Sequence, residues 1–351
     1  MMKALAKIKK GAGNIGVIEF DDPFLGEGDV LIKVAAAGFC DTDLVLVDWG
    51  PTIEKEYKPP LPLVMGHEFS GNVMDFGNRV EGFEIGDPVV INPMLYCGRC
   101  PFCLEGRQQL CNHRFLLGFQ RNGGFAEKVA VRSENVYRLP KTIDLEVAAL
   151  CEPFNIIINA FERAKPNYAD TILIAGAGPI AIMALLMSQF CGCGKTVVAG
   201  VEADRERLLV AEKLGAIAIN VEREDIKERI RDMTQGAGVD IAIETPDGSK
   251  AIGEDLSVLK KRAKLVLVGL TENPIHLSRS AFFLKETEMI GIRAHNPKTW
   301  EICLKVLSTG RMNLKPLITH RLPLDEGKRG FELLRQRQGL KIMLEPALSG
   351  T

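Results

Sequence analysis

The sequence predicts an α/β protein of two domains, the first mostly β and the second built on a doubly wound parallel sheet. Three observations carry this. The 351 residues correspond to about two domains at roughly 150 residues each. Residues 1–150 are rich in Gly, Pro and short β-like runs, such as Val30–Ala36 and Pro88–Ile91, separated by turn signals such as Gly26-Glu27-Gly28-Asp29. From about residue 170 strand and helix patterns alternate, the signature of parallel strands joined by right-handed crossovers.

Six segments of the second domain read as strands: Thr171–Ala175, Thr196–Val201, Ala216–Asn220, Val239–Ile243, Lys264–Val268 and Glu288–Ile292. Helical patterns fall between several of them, clearest at Asp204–Leu214 and Glu224–Met233. The last fifty residues return to mixed texture, with helices expected at Thr299–Thr309 and Asp325–Arg335. The expected division is residues 1–153 for the first domain, with 293–351 returning to it, and 154–292 for the second. Ile172–Gly194 has no charged residue and is long enough to span a bilayer. Gly176, Gly178 and Pro179 interrupt it, so a buried strand, turn and helix is the better reading.

Lys plus Arg number 44 and Asp plus Glu 45, a net charge of −1. That balance lacks the basic excess of a nucleic-acid binder and the charge imbalance of a disordered chain. The basic N-terminus has no apolar signal-peptide core, so no membrane partner is expected and a cytoplasmic location is. Nine cysteines in a reducing compartment are more often metal ligands or catalytic groups than a disulfide framework.

Four of them form the pattern Cys97-x2-Cys100-x2-Cys103-x7-Cys111. Four thiolates close a tetrahedral shell around Zn²⁺ and leave no open position, which makes such a site structural. An iron–sulfur cluster is the competing reading, and the long final gap favours zinc.

A second constellation is scattered. Cys40-Asp41-Thr42-Asp43 follows a strand, Gly66-His67-Glu68 follows a Pro-rich stretch, and Cys151-Glu152-Pro153 sits where the texture changes. A catalytic zinc takes about three protein ligands and keeps one position exchangeable. Cys40, His67 and a carboxylate from Glu68 or Glu152 would supply that set. The Thr42 hydroxyl, two residues from the thiol, could reach an alcohol oxygen at the metal, and Asp43 could orient His67 through its other ring nitrogen.

The run Ile172-Leu173-Ile174-Ala175 leads into Gly176-Ala177-Gly178-Pro179-Ile180-Ala181, a G-x-G-x-x-A turn between strand and helix. The first Gly allows the tight turn, the second lets the backbone approach a pyrophosphate, and the small Ala181 permits close helix–strand packing. The helix N-terminus then faces the phosphates. Glu202 ends the next strand, where a carboxylate accepts hydrogen bonds from ribose hydroxyls and repels a 2′-phosphate. NAD is therefore expected over NADP, with Arg205 and Arg207 as the residues that could bind that phosphate instead.

Together these residues resemble the zinc-dependent medium-chain dehydrogenases over nearly the whole chain, most closely the threonine and polyol (sorbitol-type) branch. The motifs that carry the likeness are Met2-Lys3-Ala4-Leu5-Ala6-Lys7, Gly66-His67-Glu68-Phe69-Ser70-Gly71, Gly123-Gly124-Phe125-Ala126-Glu127, the glycine turn and Pro316-Leu317-Ile318-Thr319-His320-Arg321. The resemblance implies a GroES-like, mostly β catalytic domain, a Rossmann domain with its doubly wound parallel sheet, and a cleft between them. It implies two zinc ions per chain, the catalytic one on Cys40, His67 and Glu68 or Glu152. By the same resemblance Ile180, Glu202 and Arg207 contact NAD, Val268, Gly269 and Leu270 line the nicotinamide end, and Arg293 touches cofactor or substrate. A homo-oligomer, dimer or tetramer, is implied too.

Three positions depart from the family pattern. Asp41 replaces the usual Gly after the zinc cysteine, Val45 stands where the branch has a proton-relay His, and Glu152-Pro153 continues into the apolar Phe154-Asn155-Ile156-Ile157. The expected function is oxidation of a secondary alcohol (a polyol, cyclic polyol or hydroxy amino acid) to a ketone with hydride transfer to NAD. The alternatives are a polyol-phosphate dehydrogenase, with Arg121 or Arg293 as the cation, and a non-catalytic zinc- and nucleotide-binding regulator.

Overall fold

The computed structural model describes residues 1–245, 257–269 and 279–346. They form two compact units, Met1–Pro153 with Asn296–Thr351, and Phe154–His295. The chain re-enters the first unit at Asn296, where the sequence reading placed the return at 293.

In the first unit a mixed sheet runs in the order Val136–Arg138, Pro88–Ile91, Glu68–Phe76, Asp29–Gly38, Lys341–Glu345 and Ile318–Pro323, with Lys128–Arg132 also paired to Asp29–Gly38. Asp29–Gly38 is the organising strand. It buries Val30, Ile32 and Val34 on one face, the alternation of a strand packed on one side. Glu68–Phe76 pairs with it antiparallel, setting Glu68 opposite Gly38. Lys341–Glu345 adds to the same strand through Met343 opposite Gly38 and Leu344 opposite Ala37. The strand Lys341–Glu345 therefore lies beside the strand that leads to Cys40. Phe39, fully buried, meets Phe125 at 4.7 Å between ring centroids and Phe331 edge-on at 5.0 Å, both within the range of favourable aromatic pairs. A three-stranded sheet of Ile15–Phe20, Met2–Lys7 and Leu63–Val64 completes the unit, and a two-stranded pair, Met94–Leu95 with Phe115–Leu116, brackets the cysteine loop.

The second unit holds an all-parallel six-stranded sheet in the order Ile217–Asn220, Thr196–Gly200, Ile172–Ala175, Val239–Glu244, Leu259–Leu267 and Glu288–Gly291. The order reverses between the third and fourth of these, the switch point at which such sheets bind ligands beyond their carboxyl ends. The helices Pro179–Phe190, Arg205–Lys213 and Ile226–Met233 follow its first three strands in sequence. All six predicted strands are present. The fifth begins earlier than expected, at Leu259 rather than Lys264, because Leu259 pairs with Val239 across a register shift. Ile172–Gly194 is a short strand and a helix, and among the described residues no helix is long and apolar enough to cross a membrane.

Candidate active site and metal loop

Cys40 caps the helix Asp41–Asp48 immediately after the strand Asp29–Gly38 and Phe39. Asp43, wholly buried, turns back on this cap: its Oδ2 accepts the Cys40 N–H at 3.0 Å. Its Oδ1 lies 3.0 Å from His67 Nδ1. One carboxylate thus fixes the backbone of one candidate ligand and the ring of another. With Nδ1 engaged, His67 presents Nε2, the usual arrangement of a ligating imidazole.

His67 reaches this point because Gly66 takes φ +88° and lies against the Phe125 ring, which a Cβ would overlap. That is the left-handed region only glycine enters without cost. Gly38 answers a different need. It lies opposite Glu68, and a Cβ there would meet the Glu68 carboxylate.

The ligand atoms of Cys40, His67 and Glu68 lie within 4.8 Å of one another, with His67 and Glu68 buried. Glu152, second residue of the helix Cys151–Ala164, is buried but is not in that set. Its charge nevertheless helps raise the pKa values of Glu68 and Lys341. Thr42 Oγ1 is 3.4 Å from Cys40 Sγ. Val45 is exposed.

Sequence reasoning missed Lys341. Its ammonium, only 4% exposed, pairs with both carboxylate oxygens of Glu68, at 2.6 Å to Oε1, and donates to the Phe39 carbonyl at 3.0 Å. No local signal could have found it, since the partner lies 273 positions away. Phe119, whose ring stands edge-on to His67 at 5.7 Å, was missed as well.

Burial pushes the Cys40 thiol up, and it pushes Glu68 up to about 7 against the pull of Lys341. Burial works the other way on His67, but the Asp43 carboxylate and then Cys40 hold it well above the ordinary imidazole value. Three acids, Cys40, Glu68 and Glu152, thus face a single ammonium. A mixed S, N and O donor set with surplus acid suits a divalent cation, and three ligands leave a fourth position for an exchangeable oxygen.

The second sulfur set lies on the loop between the paired strands. The Sγ separations are 3.5 Å for Cys100–Cys103, 3.5 Å for Cys97–Cys111 and 3.9 Å for Cys97–Cys103, with no disulfide formed. A regular tetrahedron with Zn–S bonds of about 2.3 Å has edges of about 3.8 Å, so four such sulfurs fit that ion. The backbone N–H of Arg99 brings the Cys97 thiol down to about 6, while burial raises Cys103 to about 12.

In the second unit Gly176 takes φ +107° and Gly178 caps the helix that Pro179 opens. Ile180 is half-buried behind them and Ala181 fully buried. Arg207, mostly buried and 3.7 Å from Asp204, borders Gly178. The Glu202 carboxylate accepts from Asn220 Nδ2 and Arg223 Nη2, both at 2.6 Å. Val268 and Gly269 leave the fifth strand with their N–H groups on the Glu244 carbonyl, at 2.9 and 3.2 Å. Leu270 lies outside the described residues. Arg293 is exposed, and Asn159 Nδ2 donates to its carbonyl at 3.3 Å.

Comparison with known proteins bears on the same regions. The alcohol dehydrogenase GroES-like domain matches residues 26–141, and the zinc-binding dehydrogenase family matches residues 179–309. The sorbitol dehydrogenase of Halalkalibacterium halodurans is 32% identical, with 98% of this chain and 99% of that protein covered. The L-threonine 3-dehydrogenase of Pyrococcus horikoshii is 33% identical over 97% and 98% of the two chains. The crystal structure of 2R,3R-butanediol dehydrogenase from Bacillus subtilis superposes with a TM-score of 0.90 at 27% identity, covering 99% of this chain and 100% of that one. With its GroES-like and Rossmann units, the chain belongs to the zinc-dependent medium-chain dehydrogenases, oxidoreductases that use a nicotinamide cofactor, in the branch of the polyol and threonine enzymes.

Proposed function

We propose that the chain oxidises a secondary alcohol, of the polyol, cyclic polyol or hydroxy amino acid class, to a ketone and passes the hydride to NAD. The observation that carries this reading is the convergence of Cys40, His67 and Glu68, braced by Asp43 and Lys341. Zinc held there supplies Lewis-acid polarisation of the alcohol oxygen, and the bound nicotinamide supplies the hydride acceptor. Cys40 and His67 hold the catalytic ion, with Glu68 or Glu152 as the carboxylate, and the four cysteines of the loop hold the structural one.

The chain's own work is binding and proton handling. With its Nδ1 proton held by Asp43, His67 would have its Nε2 lone pair free to hold the ion. Thr42 Oγ1, beside Cys40 Sγ, takes the substrate hydroxyl proton and hands it on. Val45 cannot relay a proton, so water serves beyond Thr42. Phe119 shields one side of His67.

Gly176, Gly178, Pro179 and Ile180 place a helix N-terminus at the cofactor phosphates, Glu202 receives the adenosine ribose, and Arg207 borders the phosphate turn. Val268 and Gly269 serve the nicotinamide end, and Arg293 touches cofactor or substrate. The strand Glu288–Gly291 closes one edge of the sheet with Met289, Phe283 and Leu284 exposed nearby. Edges with exposed apolar side chains are pairing sites, which supports a homo-oligomer built through this edge. The free cysteines fit a cytoplasmic setting.

Cys40→Ser and His67→Ala test the reading. Each is expected to abolish turnover while NADH binding, followed by fluorescence, persists. Retained turnover in either variant would overturn the ligand assignment, and turnover with NADP alone would overturn the role of Glu202.

A further inference from the structure

Lys7 ends the strand Met2–Lys7 and is wholly buried. Its ammonium donates to three backbone carbonyls, those of Gly11 at 2.5 Å, Gly13 at 2.6 Å and Val47 at 3.0 Å. It also stands over the Trp49 ring, 5.2 Å from the centroid, within cation–π range. Among the described residues no carboxylate pairs with it, and Asp48, beside Val47, is engaged by Arg335. Burying an ammonium is costly, and an apolar side chain of similar length would fill the space without that cost. What the charge adds is direction: it fixes three backbone points and one ring at once.

Those contacts reach both segments that supply the candidate ligands. Val47 and Trp49 close the helix Asp41–Asp48, which Cys40 caps and which carries Thr42 and Asp43. The last four carbonyls of a helix have no partner inside it. Here that of Val47 is satisfied from outside, by Lys7 Nζ and by the Gly13 N–H at 2.9 Å. A cation at this end also suits the helix dipole. Trp49 is held in turn by its indole N–H, which donates to Glu54 Oε1 at 2.7 Å. The backbone of Lys7 serves the other segment. Lys7 pairs antiparallel with Leu63 and Ala6 with Val64, and the Met65 N–H donates to the Leu5 carbonyl at 3.2 Å. His67 follows two residues later. The side chain of one residue thus grips the helix that begins beside Cys40, while its backbone carries the run that leads to His67.

We propose that Lys7 is a positioning residue of the metal site, setting where Cys40 stands relative to His67. The proposal rests on the reading of Cys40, His67 and Glu68 as metal ligands, and adds to it a residue that touches neither metal nor substrate. The helix between Lys7's grip and Cys40 has eight residues, about 12 Å at 1.5 Å per residue, so two turns carry a displacement from one end to the other.

The test uses the full chain with zinc in the cysteine loop and Zn²⁺ or Co²⁺ in the weaker site. It compares the wild type, Lys7→Met, Lys7→Gln and the control Lys3→Met, which removes an exposed ammonium paired with Asp325 on the same strand. Lys7→Met should still unfold cooperatively in urea, yet bind the weaker ion about 10-fold less tightly, the lower end of what residues that orient a metal ligand contribute. Its Co²⁺ absorption bands should shift, since their energy follows ligand geometry, and kcat should fall with KM held within about twofold. Lys7→Gln, which can still donate to carbonyls, should lie between. Lys3→Met should match the wild type, and the loop zinc should stay tight in every variant. Wild-type affinity and an unshifted Co²⁺ spectrum in Lys7→Met overturn the proposal and leave the ligand assignment standing. Equal weakening of both metal sites, or the same loss in Lys3→Met, overturns it as a general loosening of the unit. Failure of both Lys7 variants to fold overturns it too, by making the lysine a folding residue. If the wild type itself binds no second ion, the ligand assignment falls, and this proposal with it.

Discussion

Asp43→Asn changes one atom type and leaves the volume almost untouched. In the native site the buried carboxylate receives Cys40 N–H on one oxygen and His67 on the other, each at 3.0 Å. An amide has one acceptor oxygen. If that oxygen keeps the Cys40 N–H, the NH2 group faces His67 Nδ1 and drives the imidazole to the tautomer protonated on Nε2, which cannot ligate. If the amide turns over, two donors meet at Cys40. Either way one hydrogen bond to a charged group is lost, worth about 1.5–3 kcal/mol. At 1.4 kcal/mol per decade, that is roughly 10- to 150-fold in metal affinity, comparable with the 10- to 100-fold typical of residues that orient a metal ligand. Competition with a chromogenic chelator would read it: one zinc per chain, that of the cysteine loop, should stay tight while the other weakens by this factor. Turnover at limiting zinc should fall in parallel. Zinc affinity and kcat both within threefold of the wild type would refute the clamp.

Other outcomes follow from the same geometry. Gly66→Ala forces a left-handed φ on a Cβ that meets the Phe125 ring, and should destabilise the first unit by about 2–4 kcal/mol. Both tryptophans of the chain, Trp49 and Trp300, lie in that unit, so their fluorescence in a urea titration reports it. Cys100→Ser should release one zinc per chain and expose the 97–111 loop to proteolysis; full zinc content with unchanged protease resistance would contradict a structural role. Arg321 grips Glu146 with two bonds of 2.7 Å and holds its carboxyl below the ordinary range. A depressed carboxylate stabilises above its unfolded pKa and loses that contribution as pH falls through the folded one. Arg321→Gln should therefore cost roughly 0.5–1 kcal/mol at neutral pH, the pair being partly exposed. The gap should close in acid, and a gap that widened instead would show the sign to be wrong.

What the sequence made legible were features encoded within a few residues. The central strands of the second unit, Ile172–Ala175, Thr196–Gly200 and Val239–Glu244, are buried almost throughout and read as apolar runs, and the cysteine loop is one short segment. Cys40, Thr42 and Asp43 lie on one turn of backbone, so their shared task could be inferred before their positions were known. The pairing that builds the first unit was not legible. Asp29–Gly38 meets strands from three distant parts of the chain, and register between such strands is a matter of packing. Lys341 illustrates the cost of this. A lysine in a late strand reads as a solvated charge, and only the sheet places it against Glu68.

The most direct test of the account is NADH formation by purified protein with two zinc ions per chain, offered secondary alcohols from threonine through free and phosphorylated polyols. The account predicts turnover with at least one of them, lost when a chelator removes the weaker-bound ion and regained when zinc alone is restored. Turnover that persists after that ion is removed would contradict it.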